Sequence, residues 1–323
     1  MRVLITGGAG YIGSHLVEHL SDLGVECHVI DNLSRGLIER ISPRAEFEKL
    51  DLCDSNLLNK YMRDHSFNAI FHLAGLMQAR ESERNPEIYL QNNVQATRNL
   101  INSISSPEKT QVIFSSSCSV YGNYNLAEVG SPLEPLSVYA KTKVQSESEL
   151  RTFFTRSYHQ LSIFRFFNVI GCSEIPFFSD IQKETILPAS ARRILRGQKP
   201  LILGGNFKTI DGFAIRDFID VRDIVRALCL PIVKGLSGIH NLSSNNPTSV
   251  RSIVELLLEI SKTQNKGFEI AEPNTADPSV ITSSTSTKVR DLGWEPQFSQ
   301  RGSVENFWST FEAYWLECEN TNS

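Results

Sequence analysis

Arg2-Val3-Leu4-Ile5-Thr6-Gly7-Gly8-Ala9-Gly10-Tyr11-Ile12-Gly13 carries a short apolar strand into clustered glycines and then into a helix. Glycines at such a junction let the chain turn sharply, bring bare backbone against a pyrophosphate and seat the new helix closely on a sheet. The helix amino terminus then offers free N–H groups and the positive end of its dipole to the phosphates. A glycine cluster alone also fits an ordinary loop, so the flanking pattern decides. Ile12, Leu16, Leu20 and Leu23 form a helical apolar stripe, Gly24 ends it, and Val25 to Ile30 reads as a second strand finishing at Asp31. A carboxylate about 20 residues beyond the glycines, at a strand tip, is placed to accept hydrogen bonds from an adenosine ribose and to repel a 2′-phosphate. The pattern therefore predicts NAD rather than NADP.

Working outward, strand and helix patterns alternate from residue 1 to about residue 168 of a 323-residue chain. That alternation predicts an α/β fold, a doubly wound parallel sheet with helices on both faces. The length predicts a dinucleotide-binding domain over 1–168 and a smaller substrate domain over 169–323, with segments around 216–241 returning to the first domain. A net charge of −4 gives no basic field for nucleic acid. No apolar run approaches the ~20 residues of a membrane span, and Met1 leads straight into a strand, so a cytoplasmic protein is expected. Cys27, Cys53, Cys118, Cys172, Cys229 and Cys318 are scattered without a CxxC pair, which predicts neither a disulfide framework nor a zinc site.

The chemistry gathers at predicted strand ends. Phe47 to Leu52 reads as a third strand ending at Asp51 and Leu52, Asn68 to Leu73 as a fourth that turns at Ala74-Gly75, and Gln111 to Phe114 as a fifth. The fifth runs into Ser115-Ser116-Ser117-Cys118-Ser119, delivering hydroxyls to the crevice at the carboxyl edge of the sheet. A helix starting near Val138 carries Tyr139 and Lys143, which share a face at i and i+4. An ammonium beside a phenol favours phenolate, lowering its pKa from ~10 and making tyrosine a general base. His72 ends an apolar strand and reads as a hydrogen-bonded structural residue, and Cys118 as a packing thiol.

GGAGYIG, Asp31-Asn32, HLAG at His72 to Gly75, NNV at Asn92 to Val94, SSSCSVYG and YAKTK together resemble the extended short-chain dehydrogenase/reductase family, most closely its UDP-galactose 4-epimerases. Arg165-Phe166-Phe167-Asn168 and Ile215-Arg216-Asp217-Phe218-Ile219-Asp220 continue the likeness. The resemblance implies a nucleotide-sugar 4-epimerase of the UDP-glucose/UDP-galactose type that holds NAD and works through a transient 4-keto sugar. It implies Gly7, Gly10, Tyr11, Ile12, Asp31, Asn32 and Ser34 on the adenosine and phosphates, Asp51 and Leu52 at the adenine, and Ala74 and Gly75 along the cofactor. Asn93 would hold the helix against the site, Tyr139 would be the base, Lys143 would bind the nicotinamide ribose, and Ser117 and Ser119 would meet the sugar. Asn168, Thr185, Ile186, Leu201, Leu203, Arg216 and Asp277 would line the nucleotide diphosphate, and Ile281 would gate bulk at the sugar C2. A homodimer through the helix after Asn85 and the Tyr139 helix is likewise implied.

The chain departs from the pattern at Met77, where the family often has a lysine, at Asn274, where epimerases carry a diphosphate arginine, and at Leu203, which replaces a common aromatic. Nucleotide-hexuronate decarboxylases or epimerases and nucleotide-sugar reductases are the alternatives within the family. A non-catalytic NAD- or nucleotide-sugar-binding protein is the alternative of another class.

Overall fold

Alternate residues of the first strand face opposite ways, as a pleated strand dictates. Val3 and Ile5 pack with Leu16, Leu20 and Ile224 on one side, and Leu4 packs with Leu58, Leu100 and Leu150 on the other. All three strand residues are fully buried, so this strand is central and covered on both faces.

The computed structural model describes residues 1–172, 185–264, 267–273 and 278–321. Its strands in chain order are β1 Arg2–Thr6, β2 Glu26–Asp31, β3 Glu46–Lys49, β4 Ala69–His72, β5 Gln111–Ser117, β6 Tyr124–Ala127, β7 Leu161–Phe166, β8 Asn168–Ile170, β9 Leu201–Leu203, β10 Ile215–Asp220, β11 Gly238–Leu242, β12 Pro247–Ser249, β13 Glu269–Ala271 and β14 Val280–Ser283. Seven of them form one sheet in the order β11-β7-β5-β4-β1-β2-β3, with every neighbouring pair parallel. Strand order reverses at β1, and a crevice opens beyond the carboxyl ends there. The doubly wound sheet expected from the alternating pattern is thus observed.

A second sheet runs β12-β10-β14-β6, with β8 also paired to β10, and β13 pairs with β9. Within the 216–241 stretch, the helix Val221–Leu228 packs on the helix Tyr11–Asp22 and β11 joins the large sheet, whereas β10 belongs to the second. Strand ends differ from the sequence expectation: β2 starts at Glu26 rather than Val25 and β4 is one residue shorter at each end. Pairing in β3 stops at Lys49, although Leu50 and Leu52 are buried just beyond it, and β5 continues to Ser117 because β7 pairs with it as far as Phe166. The helix after Pro86 is interrupted by a π turn at Leu90–Gln95 before Ala96–Asn102, and this turn carries Asn93. Among the described residues no helix is long and apolar enough to cross a membrane.

Candidate active site

The glycine-rich turn is shaped by contacts that leave no room for side chains. Gly7 has φ +72°, and a Cβ there would lie 2.7 Å from the Ala74 backbone. A Cβ on Gly13 would lie 2.3 Å from the Gly7 carbonyl oxygen, so the helix can start this close to the turn only with glycine at that position. Tyr11 extends this corner: its hydroxyl donates to the Gly171 carbonyl at 2.5 Å, tying the helix start to the chain just after β8.

Asp31 faces the same turn. Its carboxylate accepts the Ala9 amide at 3.1 Å and the Leu33 amide at 2.8 Å, and burial raises its pKa above the ordinary carboxylate value despite those two bonds. Asn32 donates to Asp51 at 3.0 Å and accepts the Ser34 amide at 2.9 Å, linking the ends of β2 and β3 around the mouth of the crevice. Across it, Asn93 accepts the Leu76 amide at 2.7 Å and donates to the Leu76 carbonyl and the Thr142 hydroxyl. Asn93 therefore clamps the Ala74-Gly75 turn to the Tyr139 helix from behind, without lining the cavity itself.

That helix spans Val138–Phe153 and is capped by Ser137, whose hydroxyl accepts the Ala140 amide at 3.1 Å. Tyr139 is hydrogen-bonded to Ser117, and Ser117 also accepts the Ser119 hydroxyl at 2.8 Å and its amide at 3.2 Å. In the ligand-free site burial, rather than Lys143, dominates the phenol. Burial pushes Tyr139 up to about 12, opposed by the Ser117 hydrogen bond, and Lys143 is not among the groups that move it. The ammonium instead donates to the Ser115 carbonyl at 2.8 Å, lies over the Phe114 ring and is itself pushed down to about 8 by burial. Sequence spacing places the two groups on one face of the helix; only the packing decides where the Lys143 amine points.

A cavity of about 510 Å³ joins these parts. It is lined by Gly7, Gly10, Tyr11, Ile12, Asp31, Asn32, Ser34, Asp51, Leu52, Ala74, Gly75, Ser117, Ser119, Tyr139, Lys143, Asn168, Thr185, Arg216 and Ile281 among the residues singled out from the sequence. Ile186 instead packs among Leu187, Ile202 and Phe213. Leu201 and Leu203 pair with Glu269 and Ala271 at the small β9-β13 sheet and do not line the cavity. Asp277 and Asn274 lie outside the described residues. The Arg216 guanidinium donates to the Pro278 and Ile215 carbonyls, while Asp217 accepts the Ser244 and Asn246 amides and Asp220 pairs with Arg222 at 2.8 Å.

His72 is structural, as its setting in an apolar strand predicts: it bridges the Thr6 and Thr97 hydroxyls at 2.8 and 2.9 Å, and burial lowers it to about 3. Burial likewise lifts Cys118 to about 12, leaving an unreactive thiol. Away from the cavity, folding brings one nitrogen or oxygen ligand atom from each of His28, Glu46 and His65 within 4.8 Å of one another, a grouping that cysteine spacing could not reveal.

Sequence reading overlooked Glu147 and Arg165 as a pair. Both are buried, with Nη2 of Arg165 2.6 Å from Glu147 Oε2, Ser116 donating to Glu147 at 2.5 Å, and Arg165 Nη1 donating to Tyr121 at 2.7 Å. The signal was present as an arginine inside an apolar strand and an acid four residues after Lys143. Gln78, Glu81, Leu136 and Phe167 also line the cavity without any local motif to mark them.

The model of the NAD dependent epimerase/dehydratase family matches residues 3–242. The chain belongs to this family. Among relatives, the UDP-glucose 4-epimerase of Azospirillum brasilense is 32% identical over 305 residues, covering 92% of this chain and 87% of its own length. UDP-arabinose 4-epimerase 1 of Arabidopsis thaliana is 29% identical over 330 residues, covering 95% of this chain and 78% of its own. The crystal structure of Thermus thermophilus UDP-glucose 4-epimerase complexed with NAD is similar with a TM-score of 0.85 at 26% identity, covering 97% of this chain and 99% of that one. NAD, the cofactor of this epimerase/dehydratase family, fits the residues present. The side-chain-free cradle at Gly7 and Gly13, the helix amino terminus behind it and the carboxylate of Asp31 at the tip of β2 are the parts a dinucleotide requires.

Proposed function

We propose that this cavity interconverts nucleotide sugars at C4 of the hexose, of the UDP-glucose/UDP-galactose type. The observation that carries the reading is the meeting of Tyr139, Ser117 and Lys143 at the end of β5, in the same cavity as the glycine-rich turn. The names of the relatives support the reaction, and the UDP-arabinose relative adds a pentose to the sugars worth testing.

Bound NAD would supply the hydride acceptor for C4 and return the hydride to the other face of the sugar. Tyr139 takes the proton of the sugar O4, and Ser117, held by Ser119, orients that hydroxyl. A phenol whose pKa burial raises stays protonated at neutral pH, so the loaded site has to bring positive charge that favours the phenolate. Lys143 is the group of this chain placed to do so, one helical turn away, and its bond to Ser115 leaves two of its three N–H donors for a ribose. Dehydration is disfavoured because Cys118, with its raised pKa, and Ser119 stand where an acid pair would be needed to expel a C6 hydroxyl.

The reading includes a cytoplasmic protein and a homodimer, the second supported by the exposed Ile88 and Leu90 on the helical stretch after Asn85. Purified protein is expected to release NAD on denaturation and to interconvert UDP-glucose and UDP-galactose without added cofactor. UDP-GlcNAc, UDP-glucuronate and UDP-arabinose are the comparison substrates. Tyr139→Phe should keep NAD and fold but lose turnover; near-normal activity in that variant, or turnover that requires added NADPH, would overturn the proposal.

A further inference from the structure

The catalytic reading leaves Arg40 unexplained. Its side chain is buried, with the residue 4% exposed, yet among the described residues neither Nε nor Nη2 has a hydrogen-bond partner. A guanidinium removed from water without partners is costly, and buried polar groups are almost always satisfied. Arg165 shows how this fold ordinarily treats one: Glu147, Tyr121 and the Val129 carbonyl engage its Nε and both terminal nitrogens.

The location of Arg40 points to the missing partner. Gly36 sits so close to Ala9 that a Cβ on it would lie 2.6 Å from the Ala9 Cβ, and the Leu37 amide donates to the Ala9 carbonyl at 3.2 Å. One short 3₁₀ turn, Ile38–Arg40, then hangs Arg40 from the glycine-rich loop, where it lines the same cavity as Gly7, Gly10 and Tyr11. Asp31, Glu39 and the Tyr314 phenol are close enough to act on it through space, but Asp31 already accepts the Ala9 and Leu33 amides. Met77, which also lines the cavity, brings no charge.

We propose that Arg40 is an anion-binding residue of this cavity, whose partner is a phosphate of the dinucleotide diphosphate seated on the glycine-rich turn. It rests on the reading of the cavity as an NAD site. The planar fork of a guanidinium matches phosphate oxygens, and a charge that protein groups leave unsatisfied is satisfied only when the ligand is bound. The ligand-free protein then carries a buried guanidinium with unpaired donors, a cost that holding the dinucleotide relieves. Such an arrangement favours a cofactor kept through a cycle with no net oxidation.

The test uses the full chain stripped of nucleotide, as wild type, Arg40→Met and Arg40→Lys. Calorimetric titration and thermal melts are run with NAD, NADP, ADP, adenosine and inorganic pyrophosphate. Arg40→Met should bind NAD and ADP about tenfold more weakly and adenosine unchanged, and Arg40→Lys should recover part of the loss. Ligand-free Arg40→Met should melt no lower than ligand-free wild type, because the substitution removes buried donors that lack partners. The melting increase produced by NAD should shrink in the same variant. Unchanged NAD affinity, an equal loss for adenosine, or a loss confined to NADP, which would assign the group to a 2′-phosphate, each overturns the assignment. If wild type itself fails to bind NAD, the cavity reading falls. The pyrophosphate arm still reads Arg40 directly, since equal stabilisation of wild type and Arg40→Met would exclude it as the phosphate partner.

Discussion

Ile281 combines core packing with a place in the cavity wall. It is 4% exposed, packs with Cys118, Tyr121, Ala127 and Phe167, and also lines the cavity. On β14 it pairs with Arg216 of β10 on one side and Tyr124 of β6 on the other, so its backbone is held by two strands. If it meets the sugar C2, as the family resemblance implies, an isoleucine that is stiff and branched at Cβ but shorter than a tyrosine makes a pocket of intermediate size. N-acetyl sugars should therefore be accepted less well than glucose and galactose, without being excluded. Ile281→Ser should raise kcat/KM for UDP-GlcNAc by about tenfold, corresponding to ~1.4 kcal/mol of transition-state stabilisation. The same substitution deletes a buried methyl and ethyl group, so the melting temperature should fall with it. Kinetics on both sugars below that temperature check the point: equal effects on the two, or none on either, would remove Ile281 as the gate.

Among the elements, the helix Val138–Phe153 does the most to assemble the site, because Tyr139, Lys143 and Glu147 recur at i, i+4 and i+8 along it. The first two line the cavity, and the third fastens the helix to the sheet behind it. Glu147 takes the Ser116 hydroxyl of β5 and the guanidinium of Arg165 on β7, and Arg165 reaches on to Tyr121, which bonds Asn241 of β11. Ser115, the acceptor for Lys143, and Ser117, the partner of Tyr139, flank Ser116 directly. Removing the carboxylate charge leaves a buried arginine without its counter-ion, which typically costs about 3–5 kcal/mol. Glu147→Gln is accordingly expected to lower stability in denaturant titration by about 3 kcal/mol. Turnover should fall more than substrate affinity, because the strand end loses its anchor. Unaltered stability would show that the pair is dispensable.

At the scale of the whole molecule, the outer surface of the helical stretch Pro86 to Asn102 bears on assembly. Leu100 and Leu150 are fully buried in the subunit's own core, so they are unavailable to a partner. Ile88 and Leu90 are 50% and 44% exposed on the same stretch. Apolar groups left in water on either side of the buried Tyr89 mark a stretch that a second copy could cover. Light scattering at micromolar concentration should give the mass of a dimer, and Ile88→Asp should shift it toward a monomer. A monomeric wild type would contradict the homodimer.

Much of the fold was legible because its signals are local. A strand, a glycine turn, a helix stripe and an acidic strand tip lie within the first 31 residues, and each follows from periodicity or backbone freedom. The serine-rich end of β5 and the Tyr139–Lys143 spacing were readable for the same reason. Tertiary structure alone decided what depends on distant partners. β6 exists because β14 pairs with it from about 156 residues away in sequence, as the Leu126–Thr282 contact measures. Leu201 and Leu203 were expected at the nucleotide, but pairing with β13 sets them in a small sheet outside the cavity wall. Lys143 points to Ser115 because burial leaves its ammonium dependent on a nearby backbone carbonyl. No motif marks Arg40 in the sequence; only when the chain folded over it did it become a buried cation with unpaired donors at the edge of the glycine-rich turn.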